Sequence, residues 1–371
     1  MKRINIALFS LMLLGVLFSC SKASLNYTQN GNWVTRSGFP GVPSGNGTSF
    51  VIGDAAYVGT GVNPNTPNAR LVTMYKYTAG QIPGGPTGYD SAIGSWTQIA
   101  NFAGQPRSNA VGFAIGGKGY IGTGLANNGF TPLADFWAYD PGSNSWTQVD
   151  SIHDANQSYP RLDAVAFGFD TVAYVLTGTD LNYYFKDMWK YSPATNSWTQ
   201  QPFIPGAARS GAITWVYKNQ GFLLTGTSTG GELSVGTAPY DFWKFSPNAT
   251  GNQWARLRDI SNTNPGTYDD GYTNIIRNHA VGFTILNQQP GSVDKGYITL
   301  GSNGSAYNYT WEYDFATDLW TEKTPYENAG RNGAVGFTIQ NRGFVATGLN
   351  GTTGYQDVRE FFPQQVYNQY D

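Results

Sequence analysis

Apolar residues alternate with small or polar ones in a seven-residue segment that recurs along this chain. Five copies have an arginine, two variable residues, an alanine, an aliphatic residue, a small or polar residue and an aromatic ring. The copies begin at Arg107, Arg161, Arg209, Arg277 and Arg331, and a sixth begins at Ser44 without the arginine. They lie roughly 50 residues apart, which is typical of a repeat protein. Alternation with a period of two predicts a β-strand at each copy.

Three further segments follow each copy of this opening. The second is apolar and ends in glycine, at Gly61, Gly124, Gly178, Gly226, Gly301 and Gly348. The third is rich in aromatic residues and begins at Asp135, Asp187, Asp241 and Thr310, and the fourth carries Trp96, Trp146, Trp198, Trp254 and Trp320. Gly, Pro and Asn separate the segments, as in hairpins. Four strands per unit, repeated around a ring, predict an all-β, six-bladed β-propeller with antiparallel blades.

The ends of the chain predict how this ring closes. The last unit has three strands but no tryptophan segment after them. Trp33 lies as far before Phe50 as Trp96 lies before Phe113, so we expect residues 32–36 to supply the missing fourth strand. Closing the ring in this way leaves no open sheet edge at the seam.

The same spacings give the expected boundaries. The propeller covers residues 32–363, followed by a tail at 364–371. Its blades are expected at approximately 44–99, 107–149, 161–200, 209–257, 277–323 and 331–362, the last completed by 32–36. The alternative is that Val366–Tyr370 forms the last strand and that Trp33 lies outside the ring.

The repeat resembles the Kelch family over nearly all of residues 32–363. One feature departs from that family, because Kelch blades usually carry Gly-Gly after the second strand. Here five blades have Thr-Gly and one has Leu-Gly. The last glycine is kept, so we expect the sharp backbone turn to be kept as well.

Composition bears on partners, disulfides and cofactors, which the repeats do not address. Charged residues make up only 12% of the chain and the formal net charge is −2, so no basic surface is expected and nucleic acid is an improbable partner. With a single cysteine, the folded part has no disulfide. We expect no cofactor.

The N-terminus has the pattern of an export signal. Lys2 and Arg3 precede an apolar run that is short for a membrane span and ends at Cys20, the only cysteine. This resembles the bacterial lipobox, which implies a signal peptide at 1–19, a lipidated tether at 20–31 and attachment to the membrane through the lipid alone. Ser21 after the cysteine implies, in that family, sorting to the outer membrane. The alternative is an ordinary signal peptide with an incidental cysteine.

Several enzyme classes lack the residues they need. The copper site of galactose oxidase requires two histidines and a tyrosine linked to a cysteine, whereas this chain has only His153 and His279, and its cysteine lies in the leader. Histidine-rich zinc sites fail for the same reason. The Asp-box of sialidases is not present. A copper radical oxidase and a sialidase are therefore not expected, and no metal site is expected.

The candidate ligand-binding residues come from the repeats. Equivalent positions in a propeller share one height around the axis, so we expect the arginines to lie at one end of the disc, where guanidinium groups suit a carboxylate, a glycan acid or an acidic peptide. Residues two positions later vary as binding residues do; they are Asn46, Asn109, Asp163, Gly211, His279 and Gly333. The structural alternative is that the arginines hold the blades in register, and repetition in five blades favours it.

Three insertions break the symmetry, at Thr227–Tyr240, Asp259–Ile276 and Thr78–Ser95. Such loops often form a recognition surface, and their Tyr and Asn residues suit sugar binding, although they are equally consistent with ordinary solvated loops. A calcium site at Asp269-Asp270 is a weak expectation, because few oxygen ligands accompany the pair.

These observations leave two hypotheses for the function. The first is a non-catalytic binding or scaffold propeller anchored to the bacterial envelope, with a glycan or a protein as its ligand. The second is a sugar mutarotase that resembles the Kelch-type N-acetylneuraminate epimerases. In the second case an acid/base acts near the anomeric centre, a role open to His279, and an arginine binds the sugar carboxylate.

Overall fold

The repeated segments form β-sheets in the computed structural model, which describes residues 30–66, 69–80, 93–228, 239–260, 272–286 and 293–370. Six antiparallel sheets of four strands make up the six blades of a propeller, so the predicted fold is confirmed. The strands of blades 1 to 3 are Thr48–Ile52, Ala55–Gly59, Met74–Thr78 and Ser95–Gln98; Val111–Ile115, Lys118–Gly122, Phe136–Asp140 and Ser145–Val149; and Val165–Gly168, Ala173–Leu176, Met188–Ser192 and Ser197–Gln201. Those of blades 4 to 6 are Ile213–Tyr217, Gln220–Leu224, Phe242–Phe245 and Trp254–Arg256; Val281–Ile285, Lys295–Thr299, Thr310–Asp314 and Leu319–Lys323; and Val335–Ile339, Arg342–Ala346, Val358–Phe362 and Asn32–Thr35.

Short elements cap one face of the disc. A 3-10 helix covers Tyr272–Asn274, and three two-stranded ribbons pair Arg107–Ser108 with Leu125–Ala126, Ser302–Asn303 with Ser305–Ala306, and Leu349–Asn350 with Thr353–Gly354. Strand direction alternates within each blade, so the connections from second to third strand, and from each blade to the next, lie on one face. We call it the arginine face, because the repeated arginines stand at the start of the first strands.

The first strands surround the axis, and the hydrophobic core lies between neighbouring blades. Phe136 of blade 2, for example, packs on Trp198 of blade 3 with ring centroids 4.6 Å apart. The small residue of the repeated opening permits the close approach of the inner strands. A Cβ added at Gly336 would lie 2.2 Å from Cγ1 of Val281 in the neighbouring blade.

Blade 6 is completed by the N-terminal strand, which confirms the prediction from the Trp33 spacing. Asn32–Thr35 pairs antiparallel with Val358–Phe362, and Trp33 is opposite Phe361. The Trp33 side chain is fully buried, and its indole N–H donates to the carbonyl of Thr324 in blade 5 at 3.2 Å. The alternative strand at Val366–Tyr370 does not form.

A buried ion-pair triad also crosses this seam. Glu360 accepts hydrogen bonds from Arg36, which follows the N-terminal strand, at 2.7 Å and from Arg342 of the second strand at 2.6 Å. The carboxylate therefore joins residues from both ends of the chain inside one blade.

The turn after each second strand is the sharp one expected. The residue before the last glycine is left-handed in all six blades, with φ between 55° and 64°, and the glycines follow with φ between 83° and 111°. Five threonines and Leu300 thus adopt a conformation that glycine adopts at lower conformational energy. The N–H of each of these glycines donates to a carbonyl that begins the next blade, as Gly124 does to Arg161 at 2.7 Å.

Candidate functional site

The five repeated arginines lie inside the blades and are fully buried. In four of them the guanidinium binds an aspartate that begins the third segment of the same blade, in the pairs Arg107–Asp135, Arg161–Asp187, Arg209–Asp241 and Arg331–Asp357. The expectation that these guanidinium groups are available to a ligand at one end of the disc is therefore corrected. Burial of a guanidinium requires a partner, and the blade supplies the carboxylate itself.

Blade 3 shows the full set of contacts. Arg161 donates through both terminal nitrogens to Asp187, at 2.7 and 2.6 Å, and to the carbonyl of Thr177 at 3.1 Å. The same carboxylate accepts the indole N–H of Trp189 at 2.7 Å. This arginine thereby joins the start of the first strand, the turn after the second and the start of the third, which favours the structural interpretation of the repeat.

Blade 5 departs from this pattern because Tyr309 stands where blades 2, 3, 4 and 6 have aspartate. Arg277 donates to the carbonyls of Leu300 at 2.8 Å, Tyr309 at 3.0 Å and Asn274. Among the described residues its Nε has no hydrogen-bond partner, and neither has the indole nitrogen of Trp311. Burial without a carboxylate lowers the pKa of Arg277 to about 9.

Six backbone hydrogen bonds encircle the axis at the arginine face. They link the residues two positions after each arginine site, which we call the axial ring: Asn46, Asn109, Asp163, Gly211, His279 and Gly333. The N–H of each donates to the carbonyl of its neighbour, at 2.7 to 3.1 Å, and all six have φ between 49° and 61°. The sequence predicted that these residues share one height around the axis, and the structure shows them hydrogen-bonded to one another through the backbone.

Three side chains of the axial ring form a polar cluster. Asn109 Nδ2 donates to Asp163 Oδ1 at 2.7 Å, and His279 Nε2 lies 3.1 Å from the same oxygen. His279 Nδ1 lies 2.9 Å from the amide oxygen of Asn278. Both imidazole nitrogens therefore face acceptors, an arrangement that only the doubly protonated, positively charged ring satisfies.

Gly211 permits this contact across blade 4. His279 and Asp163 belong to blades 5 and 3, and Gly211 of blade 4 lies between them. A Cβ at Gly211 would lie 3.0 Å from His279 Cε1, and its φ of +58° also favours glycine. The imidazole consequently reaches over the backbone of an entire blade.

The pair shifts the pKa values of both its members. Burial alone would raise the pKa of the Asp163 carboxyl, but the His279 imidazolium and the hydrogen bonds from His279 and Asn109 outweigh it and hold that pKa below its ordinary value. The Asp163 carboxylate raises the pKa of His279, against a smaller opposing effect of burial. Near neutral pH the axial ring thus holds a proton donor beside a proton acceptor.

Arg70 lies on the same face and was missed by sequence reasoning, because it belongs to no repeat. Its Nε donates to Ser108 Oγ at 3.0 Å and its Nη1 to the carbonyl of Asn127 at 3.2 Å. No carboxylate within the described residues forms an ion pair with it. The signal available in the sequence was its place in a connection that the topology assigns to the arginine face.

The insertions divide between the two faces. The ends of the connections at 227–240 and 257–276 lie on the arginine face, whereas the 78–95 connection joins a third to a fourth strand and lies on the opposite face. Residues 229–238, 261–271 and 81–92 are outside the described part of the chain, and with them Asp269 and Asp270. Exposed aromatic rings also mark the arginine face, at Phe130 and Tyr183.

Other expectations fall outside what the structure describes or concern absences. The leader and Cys20 precede residue 30. Within the described ranges, no group of three or more His, Cys, Asp or Glu side chains is arranged to hold a metal ion. Those ranges also include no helix with the length and apolar character of a membrane span.

Comparison with known proteins adds a class of reaction to this geometry. No family model matches the chain. It is 25% identical over 312 residues to an N-acetylneuraminate epimerase of Haemophilus influenzae, covering 74% of this chain and 76% of that protein. It is also 24% identical over 218 residues to an N-acetylneuraminate epimerase of Yersinia enterocolitica, covering 49% and 54%. The solved structure of YjhT superimposes with a TM-score of 0.65 at 18% identity, over 87% of this chain and 95% of that one.

These similarities correct the expectation of a non-catalytic binding or scaffold propeller. The similar proteins are named for an enzyme that acts on a sugar acid, which agrees with the second sequence hypothesis. Sequence reasoning favoured binding because it found no catalytic constellation in a linear motif. Asp163 and His279 come from blades 3 and 5 and meet across Gly211 of blade 4.

Proposed function

We propose that this protein is a sugar mutarotase whose active site is the axial ring. The observation that carries the proposal is the contact between His279 and Asp163, a donor and an acceptor on the arginine face of a propeller similar to N-acetylneuraminate epimerases. A reducing sugar bound over the ring would present its anomeric centre to both groups.

Ring opening requires two proton transfers, closure reverses both of them, and neither step requires a cofactor. Ring opening breaks the bond between the anomeric carbon and the ring oxygen. The His279 imidazolium gives a proton to the ring oxygen, and the Asp163 carboxylate accepts the proton of the anomeric hydroxyl, which leaves an open-chain carbonyl compound. Closure on the other face of the carbonyl returns both protons and yields the other anomer. Asn109 holds Asp163 in place through its amide.

The test is an NMR exchange experiment on the anomers of N-acetylneuraminate, with and without the protein. His279→Gln and Asp163→Asn should each slow the catalysed exchange by roughly 100-fold or more, since general acid–base catalysis contributes about that much. His153→Gln changes the other histidine, which is half exposed on the rim, and serves as the matched control. Unaccelerated exchange with the unmodified protein would refute the proposal.

We further propose that the chain is exported and anchored by a lipid on Cys20. The support is the short apolar leader and the position of the only cysteine. Cys20→Ala should abolish incorporation of labelled palmitate and release the protein from the membrane fraction. Unchanged labelling would refute this assignment.

A further inference from the structure

We infer that Asn46 binds the polar substituent that lies across the sugar ring from the anomeric carbon, and that it makes the site selective for sugars that carry such a group. This inference rests on the proposed function, since it concerns the substrate of the same site. Asn46 and the His279–Asp163 pair stand on opposite sides of the axial ring.

The backbone hydrogen bonds of the axial ring fix the position of Asn46 relative to the acid–base pair. The Asn46 N–H donates to the carbonyl of Gly333 at 2.7 Å, and its carbonyl accepts the N–H of Asn109 at 2.8 Å. In either direction around the ring, Gly211, against which the His279 imidazole lies, is three members away. Neighbouring members are about 4.8 Å apart, the spacing of hydrogen-bonded strands, so members two or three steps apart in a ring of six are separated by about 8–10 Å.

Gly333 gives the Asn46 side chain the same space that Gly211 gives His279. A Cβ added at Gly333 would overlap Asn46 Oδ1 and would lie 2.9 Å from its Cγ. Gly333 has φ +61°, so its conformation also favours glycine. Each of these two glycines thus accommodates the side chain of a neighbouring member of the ring. The Asn46 amide consequently lies against Gly333, two steps from Gly211 and across the axis from Asp163.

The hydrogen-bonding groups of the Asn46 amide are available to a ligand. A carboxamide has two N–H donors and an oxygen acceptor. Within the part of the chain that the structure describes, the Asn46 side chain makes no hydrogen bond, and the residue is partly exposed. The Asn109 amide, by contrast, donates to Asp163 at 2.7 Å. Asn46 therefore offers a bound sugar both a donor and an acceptor, which match a hydroxyl or an acetamido group.

The distance across the axial ring suits a single sugar ring. A pyranose with a polar substituent at each end is about 6 Å long, since its bonds are about 1.5 Å each. Lying over the axial ring, it reaches a group on each side of the axis through slanting hydrogen bonds of about 2.8 Å. The anomeric hydroxyl then meets Asp163 and His279, while the substituent on the opposite ring carbon meets Asn46. Asn46 thus fixes the orientation in which the anomeric centre faces the acid–base pair.

The experiment measures anomer exchange by NMR for N-acetylneuraminate and for the analogue in which hydrogen replaces the acetamido group, which lies across the ring from the anomeric carbon. With the unmodified protein the KM of the analogue should be about 3- to 10-fold higher, the range expected of hydrogen bonds between neutral groups. In Asn46→Gly the two KM values should become nearly equal through a rise for N-acetylneuraminate, with kcat nearly unchanged. Glycine is tolerated at this position because Gly211 and Gly333 occupy equivalent ones with similar φ.

Gly333→Ala tests the same contact with Asn46 intact. The added methyl group should displace the Asn46 amide and reproduce the loss of preference, and combining it with Asn46→Gly should add nothing further, because both changes remove one interaction. Asn303→Gly is the matched control, since it makes the same substitution at an exposed residue of a ribbon on the arginine face. It should leave both KM values unchanged, and the melting temperature of each variant shows that it is folded.

The outcomes separate this inference from the proposed function. An unmodified protein that interconverts both sugars with equal KM, or an Asn46→Gly protein that keeps the full preference, would overturn the assignment of Asn46 and leave the proposed function intact. An unmodified protein that accelerates exchange of neither sugar would overturn both.

Discussion

Arg161 and Arg277 occupy equivalent positions and are equally buried, yet they have different partners. Arg161 binds the carboxylate of Asp187, whereas within the described residues Arg277 donates its hydrogen bonds to backbone carbonyls, because Tyr309 replaces the aspartate. The loss of unfolding free energy on removing each arginine depends on which partner group is left without a hydrogen bond. A buried carboxylate without its partner lowers the free energy of unfolding far more than a buried carbonyl without its partner does.

We therefore expect Arg161→Met to lower the free energy of unfolding by about 3–5 kcal/mol and Arg277→Met to lower it by about 1–3 kcal/mol. Urea denaturation followed by tryptophan fluorescence measures both. Arg256→Met, which removes a surface pair with Asp259, is the control and should cost at most about 1 kcal/mol. Equal losses at Arg161 and Arg277 would contradict the argument.

The His279–Asp163 pair makes stability depend on pH in a defined direction. The pKa of His279 is raised above 6.5 in the folded protein. Its contribution to the stability of the fold is therefore complete below pH 6.5 and is lost as the pH rises through the pKa of the folded state. The pKa of Asp163 is lowered below 3.8 in the folded protein. Its contribution to the stability of the fold is therefore present above pH 3.8 and is lost as the pH falls through the pKa of the folded state.

Asp163→Asn should consequently shift the titration of His279 to lower pH, as measured from its imidazole NMR signals. The stability difference between the unmodified protein and this variant should decrease as the pH rises above 6.5. An unchanged titration of His279 would show that the carboxylate does not act on it.

At the scale of elements, the N-terminal strand contributes both hydrogen bonds and a large apolar side chain. Trp33 packs against Phe361 and Tyr326, with ring centroids 4.7 and 5.0 Å away, and reaches into blade 5 through Thr324. This strand therefore joins the last two blades as well as the two ends of the chain.

Trp33→Ala should lower the free energy of unfolding by about 3–5 kcal/mol, the usual loss when a buried tryptophan is truncated. A chain that begins after residue 36 should melt at a clearly lower temperature, because blade 6 then exposes its third strand. Removal of residues 366–371 is the control and should have a much smaller effect. Equal melting temperatures for the shortened and complete chains would rule out a structural role for this strand.

At the scale of the whole molecule, the sequence predicted the ring but not the chemistry at its centre. Six blades follow from the repeats, because each unit buries its faces only against neighbours. The closure of the ring followed from the spacing of Trp33, because it places residues 32–36 at the fourth-strand position of the last blade. Burial of Arg107 and its equivalents was open to prediction, since Asp135, Asp187 and Asp241 stand at one repeat position, but strand pairing was needed to show that the two positions meet.

The site itself depends on contacts between distant repeats. Asp163 and His279 share a repeat position, so their common height was predictable. Their contact required Gly211, whose missing side chain lets one blade reach past another. Such contacts are set by loop geometry, which has no periodic signal in the sequence.

The seam in blade 6 has a mechanical consequence. Asn32 is paired with Phe362 and Thr35 with Arg359, so both chain ends leave the ladder on the same side. Tension applied between the termini loads these bonds one after another, like a zipper, rather than all together. In an optical trap, with handles at residues 30 and 370, the first extension should occur at low force and match the release of the N-terminal strand, while blades 1 to 5 hold. A single rupture of the whole disc at high force would contradict this. A propeller with its ends joined in one blade in this register should therefore open easily when it is pulled by its own termini.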